Sequence, residues 1–335
     1  MIIRALAVIS LALGMSSSSS APLVLIDTFQ LPSAVAGHFD HLAIDVKGRR
    51  LFVTPEEYKS VIVFDLSTGK VIHTIPGIGV PHAVLFRPDR NRIYVTDGEP
   101  GELKIFDATN YSLLKSIKLL PHSDSVGYDS VNHFLYVVTG GKDAGQKYSI
   151  ISFVDTTAEK TVGAIKIDGD ALEAMALEKN GPLLYINNKS KNQIDVIDRQ
   201  QKKLIASWPI TKGQNNTSIA LDEKNHRLFV GCRSGKMVVL DTTSGKELLA
   251  VPMSKGVDDM MFDPARRRIY ASCGDGQGSV DVFEQVDENQ YKLLASVTSR
   301  PLGKTSLLSP ELNRYFVSVP KSSGKSAAVL VYEVH

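Results

Sequence analysis

Between residues 92 and 107 the chain reads RIYVTDGEPGELKIFD, two short stretches of alternating apolar and polar residues around a turn rich in Gly, Pro and acids. Alternation with a period of two marks strands with one buried face, and the turn between them marks a hairpin. A phrase of this kind appears seven times: LFVTPE at Leu51, IYVTDG at Ile93, LYVVTG at Leu135, LYINNK at Leu184, LFVGCR at Leu228, IYASCG at Ile269 and YFVSVP at Tyr315. The intervals are 42, 42, 49, 44, 41 and 46 residues. Seven residues before each phrase stands an apolar anchor (Ile44, Phe86, Tyr128, Leu177, Leu221, Phe262, Leu308), which marks a preceding strand and a tight turn. After each phrase comes a third strand ending in an acid, such as VIVFD at Asp65 or MVVLD at Asp241, then a turn such as STGK, then a fourth strand such as KVIHTIPG. Four antiparallel strands per repeat predict an all-β, seven-bladed β-propeller.

The last repeat supplies three strands before His335, whereas LVLIDTFQLP at residues 23–32 reads as a strand with no blade of its own. The N-terminal strand is therefore expected to complete the last blade beside AAVLVYE and close the ring, because stacked blades leave an exposed edge unless the circle is joined. Residues 22–335 then form one domain. The first residues carry one Arg, an apolar run from Ala5 to Met15 and a string of small residues, the order of a secretory signal peptide over residues 1–21. That run is shorter than the roughly 20 residues a membrane span needs. The expectation is a soluble periplasmic or secreted monomer without a membrane span.

Cysteine and charge usage narrow the picture. Cys232 and Cys273 occupy equivalent positions in successive repeats, so stacked sheets about 10 Å apart keep them from pairing. With 38 Lys and Arg against 36 Asp and Glu, the formal net charge of +2 gives no global attraction to nucleic acid.

IYVTDG and the longer VPHAVLFRPDRNRIYVTD resemble the repeats of the YVTN family of bacterial seven-bladed propellers, the YncE-like proteins. The resemblance runs through nearly all of residues 22–335. It implies the fold and leaves function open, since relatives with this repeat include binding proteins, cell-surface proteins and subunits of periplasmic redox enzymes.

Motifs with chemical associations fail their structural context. SSGKS at 322–326 lacks the first Gly of a phosphate-binding loop, and GDGQGS at 274–279 sits in a strand-to-strand turn. Neither G-x-S-x-G, H-E-x-x-H nor a C-x-x-C pair occurs. The Gly-rich TGGKDAGQKY at 139–148 makes the third repeat the longest and offers a candidate contact loop.

Four residues before the seven anchors stand Asp40, His82, Asp124, Glu173, Thr217, Asp258 and Lys304. Two residues before them stand Leu42, Val84, Val126, Met175, Ile219, Met260 and Ser306. The change from apolar to polar at one level places the first set at the mouth of the central channel, a candidate ligand site. The loops joining second and third strands add Glu56, Tyr58, Asp97, Asn188, Arg233 and Asp275, and His38, His41, Asn216 and Asp259 lie beside them. In an extended GHFDH segment His38 and Asp40 share a side and His41 faces away.

Four carboxylates against one Lys predict an acidic mouth, suited to calcium or magnesium, with His82 or His41 admitting a transition metal. Candidate ligands are Asp124, Glu173, Asp258 and His82. The same pattern also serves a channel mouth that only holds water. Three functions fit: a non-catalytic propeller binding a small molecule or protein partner on its loop face; a metal-dependent lactonase or sugar-acid hydrolase with His82 as base; and an accessory subunit of a periplasmic redox enzyme.

Overall fold

The structure is a computed structural model that describes residues 21–322 and 324–335. Apart from Ala21, the expected signal peptide lies outside the described residues.

Seven four-stranded antiparallel sheets make up the fold. Blades 1 to 6 comprise residues 43–75, 81–118, 126–168, 172–209, 216–252 and 257–298. Blade 7 joins the strands Thr305–Ser309, Arg314–Val319 and Ala328–Val334 to Leu23–Gln30, which pairs antiparallel with Ala328–Val334 from Leu23 opposite Val334 to Gln30 opposite Ala328. The first strands of blades 1 and 2 neighbour one another around the axis, as do those of successive blades from 3 to 7.

The spacing of the repeat has a direct structural meaning. Each anchor sits opposite the first residue of its phrase: Ile44 pairs Leu51, Phe86 pairs Ile93, Tyr128 pairs Leu135, Leu177 pairs Leu184, Leu221 pairs Leu228, Phe262 pairs Ile269 and Leu308 pairs Tyr315. A seven-residue offset is thus the hairpin register repeated in all seven blades.

The buried apolar side chains fall into clusters that bridge adjacent blades. Phe52, Val61 and Val63 of blade 1 pack with Val84, Ile93 and Phe106 of blade 2. Phe29 of the N-terminal strand and Phe316 of blade 7 pack with Leu51, Ile62 and Phe64 of blade 1, which seals the ring. A single blade exposes both of these faces, so the ring is the unit that buries them.

Polar clamps cross the same seams on the face away from the mouth. Arg199 on blade 4 reaches Asp129 on blade 3 at 2.6 Å, and its guanidinium also donates to the carbonyls of Glu178, Gly181 and Pro182. Gln285 donates to Asp222 across the blade 5 and 6 seam at 2.8 Å. Trp208, on an outer strand, packs on Tyr185 with ring centroids 5.6 Å apart. Both cysteines are free and buried, as their equivalent positions require. Among the described residues, no helix is long and apolar enough to cross a membrane.

Candidate functional site

The loops that lead into the first strands and those that join second to third strands meet at one end of the ring. There, a cavity of about 180 Å³ is lined by Asp40, His82, Asp124, Glu173, Thr217, Asp258 and Lys304, one residue from each blade, together with His41, Glu56 and Arg233. On a regular strand, positions two and four before the anchor would share a face. They do not, because the pairing register slips between Pro81 and Val84, Leu172 and Met175, Asn216 and Ser218, and Val257 and Asp259. His82, Glu173, Thr217 and Asp258 fall within these bulges. A bulge leaves a residue unpaired and re-aims its side chain, here from the blade core to the mouth. In blades 1, 3 and 7 the first strand starts later, so Asp40, Asp124 and Lys304 stand on the lead-in segments.

Asp40 is the hub of an imidazole and carboxylate network. Its Oδ2 lies 2.8 Å from His82 Nδ1 and its Oδ1 lies 3.4 Å from His41 Nε2. The other nitrogen of His41, Nδ1, is 3.2 Å from Asp259 Oδ1, and Asp259 Oδ2 accepts the Ser306 N–H at 2.7 Å. His82 Nδ1 is also 3.8 Å from Asp124, whose second oxygen is 3.5 Å from His122 Nε2. Gly98 makes room for the His82 ring, since a Cβ there would lie 2.6 Å from Nε2.

Burial opposes every charge here, and neighbours decide which survive. Asp40 pays the desolvation cost yet is held down to about 2 by His41 and by the hydrogen bond from His82. Burial also opposes the protonation of both imidazoles. The Asp40 hydrogen bond, Asp124 and Glu56 nevertheless raise His82 to about 9, and Asp259 and Asp40 hold His41 well above its ordinary value. Glu56 is pushed up to about 7 by burial and by Asp40, and Asp124 is raised for the same two reasons.

The other side of the mouth is cationic. Asp258 is gripped by the Arg233 guanidinium on one oxygen and by Lys304 Nζ at 2.7 Å on the other. Glu173 accepts from Lys189 at 2.7 Å, although burial still raises its carboxyl. Thr217 donates to the Asn215 carbonyl at 3.0 Å.

These contacts change the charge balance read from sequence. The acidic mouth expected from four carboxylates and one Lys is close to neutral, because His41 and His82 are held protonated and Arg233 adds a fixed cation. The backbone before blade 1 is an isolated bridge rather than a regular strand, with Phe39 opposite Pro55. His41 therefore faces the mouth beside Asp40, while the exposed His38 pairs with Glu57 at 3.0 Å. Asp97 and Asn188 turn into the blades, Asp97 holding Lys104 at 2.7 Å and Asn188 donating to Asp195 at 2.7 Å. Among the candidate metal ligands, Glu173 and Asp258 hold Lys or Arg side chains. Among the described residues, Asp40, Glu56 and His82 offer ligand atoms that all lie within 4.8 Å of one another.

A second cavity of about 180 Å³ adjoins the first, sharing Asp124 and Glu173 and reaching Lys142 and Asp143 on the long loop of blade 3.

No protein-family model matches the chain. A YncE protein of Salmonella typhimurium is 31% identical over 99 residues, 30% of this chain and 28% of that protein, and YncE of Salmonella typhi is 30% identical over a stretch of the same length. The chain thus matches under a third of the length of these relatives. Among solved structures, the WD40 repeats of RRP9 superpose with a TM-score of 0.77 at 11% identity, covering 95% of this chain and 98% of that one. Hydrazine synthase of Kuenenia stuttgartiensis gives a TM-score of 0.73 at 16% identity over 96% of this chain and 98% of that one. At such identities the superpositions speak for the fold alone. The ring of seven four-stranded blades makes this chain a seven-bladed β-propeller, and a 99-residue stretch of it is similar to two YncE proteins.

Proposed function

We propose that this protein is an exported, non-catalytic binding propeller whose ligand site is the mouth of the central channel. One observation carries the reading: seven side chains from seven blades, brought together by bulges and lead-in segments, line one cavity that retains unused hydrogen-bonding capacity. Arg233 and Lys304 between them offer more N–H donors than Asp258 accepts, and among the described residues Glu56 accepts no side-chain hydrogen bond. A channel mouth that only holds water asks for polar groups but not for charged ones of both signs. Export rests on the leader-like order of residues 1–21 and on the resemblance to YncE.

A second reading is favoured by the convergence of Asp40, Glu56 and His82. A divalent cation there would displace the His82 proton, and with His82 as ligand the set suits a transition metal better than calcium or magnesium. In that case a metal-assisted lactonase or sugar-acid hydrolase becomes the enzyme to screen for.

The test is thermal unfolding of residues 22–335 after chelation, with calcium, magnesium, manganese, zinc and small polar metabolites added in turn. A ligand at about 100 times its Kd adds about 2.7 kcal/mol and raises the midpoint. A rise that disappears in Asp124→Asn supports the mouth as the site. A rise that survives in Asp124→Asn and Arg233→Met moves the site elsewhere.

A further inference from the structure

The charges at the mouth can be matched pair by pair, and the remainder describes the missing ligand. Asp40 is matched by His82 at 2.8 Å, Asp259 by His41 at 3.2 Å, and Glu173 by Lys189 at 2.7 Å. Asp258 matches one of the two cations that grip it, Arg233 and Lys304. One positive charge is left over on the side of blades 5 to 7. On the side of blades 1 to 3, Glu56 and Asp124 are left over, with Asp124 reached only by imidazole nitrogens at 3.5 and 3.8 Å.

Both remainders face one cavity of about 180 Å³, smaller than the roughly 300–1,000 Å³ pockets of drug-sized ligands and suited to a molecule of amino-acid size. Resting on the mouth as the ligand site, we infer that its ligand is a small zwitterion of the α-amino-acid type, with its carboxylate on Arg233 and Lys304 and its ammonium between Asp124 and Glu56. A planar guanidinium beside an ammonium is the donor pair that a carboxylate satisfies. Two carboxylates without close partners are the acceptor set for an ammonium with three N–H groups. Simple anions would meet Glu56 and Asp124, and simple cations would meet Arg233 and Lys304, so the same residues exclude both halves of the ligand taken alone.

The experiment uses the purified protein and the common L-amino acids as probes, read first by thermal unfolding and then by titration calorimetry. For the amino acid that binds most tightly, the matching deaminated acid and decarboxylated amine are titrated as well. The expected result is a raised melting midpoint, with each half-molecule bound at least about tenfold more weakly, a difference of about 1.4 kcal/mol. Arg233→Met is expected to weaken the amino acid at least about tenfold while leaving the amine unchanged, and Asp124→Asn to weaken it while leaving the acid unchanged. Lys304→Met and Glu56→Gln repeat the comparison if either variant folds poorly. Binding of the acid or the amine as tightly as the amino acid overturns the inference. Absence of any amino-acid effect overturns it too: a shift with a metal ion or sugar that is lost in Asp124→Asn then leaves the mouth as the ligand site, whereas no shift with any compound removes that reading as well.

Discussion

His82→Gln offers a sharp test of the electrostatics at the mouth. In the folded protein the imidazole loses solvation but gains the Asp40 hydrogen bond and the fields of Asp124 and Glu56, and its pKa rises from 6.5 to about 9. At about 1.4 kcal/mol per pH unit, that span corresponds to about 3 kcal/mol. Because the folded value is the higher one, the contribution is complete below about pH 6.5 and is lost as the pH rises through about 9. Urea unfolding of wild type and His82→Gln at several pH values reads the difference directly. The variant should be less stable by about 3 kcal/mol at pH 6, and the gap should close by pH 9.5. A gap that stays constant from pH 6 to pH 9.5 would show that His82 acts through packing alone and that Asp40 does not hold it protonated.

Other consequences follow from particular contacts. Glu56→Gln should raise stability increasingly from about pH 4.5 and fully above about pH 7, because a carboxyl held at about 7 in the folded protein ionises at about 4.5 in the unfolded chain; a pH-stability curve unchanged by the substitution would contradict this. Asp129→Ala leaves the Arg199 guanidinium buried without its carboxylate, which costs about 3–5 kcal/mol in urea unfolding; a loss below about 1 kcal/mol would mean the blade 3 and 4 clamp is solvated. Burial pushes the Cys232 thiol up to about 12, and Cys273 is raised by the same cause, so a thiol reagent should label neither residue until the protein unfolds. Gly98→Ala should displace the His82 ring and lower its pKa toward 6.5, as followed by the imidazole NMR resonance, whereas an unmoved resonance would show that the loop yields instead.

The sequence made the repeat legible because one physical demand recurs seven times. An inward residue must face its hairpin partner, so the same spacing returns from Ile44 and Leu51 to Leu308 and Tyr315. Closure by Leu23–Gln30 was legible for a related reason, since an unpaired strand at one end complements a three-stranded blade at the other. The level of the mouth also showed, through the apolar to polar change from Val84 to His82 and from Met260 to Asp258.

The bulges that turn His82, Glu173, Thr217 and Asp258 toward the axis did not show, because an added residue in a strand leaves no composition of its own. His41 was misplaced for the same kind of reason: alternation assumes a strand, and the backbone at Phe39 makes only one bridge. Charge balance was out of reach as well. Counting carboxylates treats each as free, whereas the pairing of Asp258 with Arg233 and Lys304 joins residues 25 and more positions apart. The sequence named both partners without the geometry that joins them.

The channel mouth as ligand site can be examined most directly by mapping backbone amide chemical shifts of the labelled protein during titration with the compound that most raises its melting midpoint. The perturbed amides should gather around Asp40, His82, Asp124, Thr217 and Asp258, on five different blades, while the opposite face near Arg199 and Gln285 stays still. Perturbations confined to one blade edge or to the opposite face would contradict it.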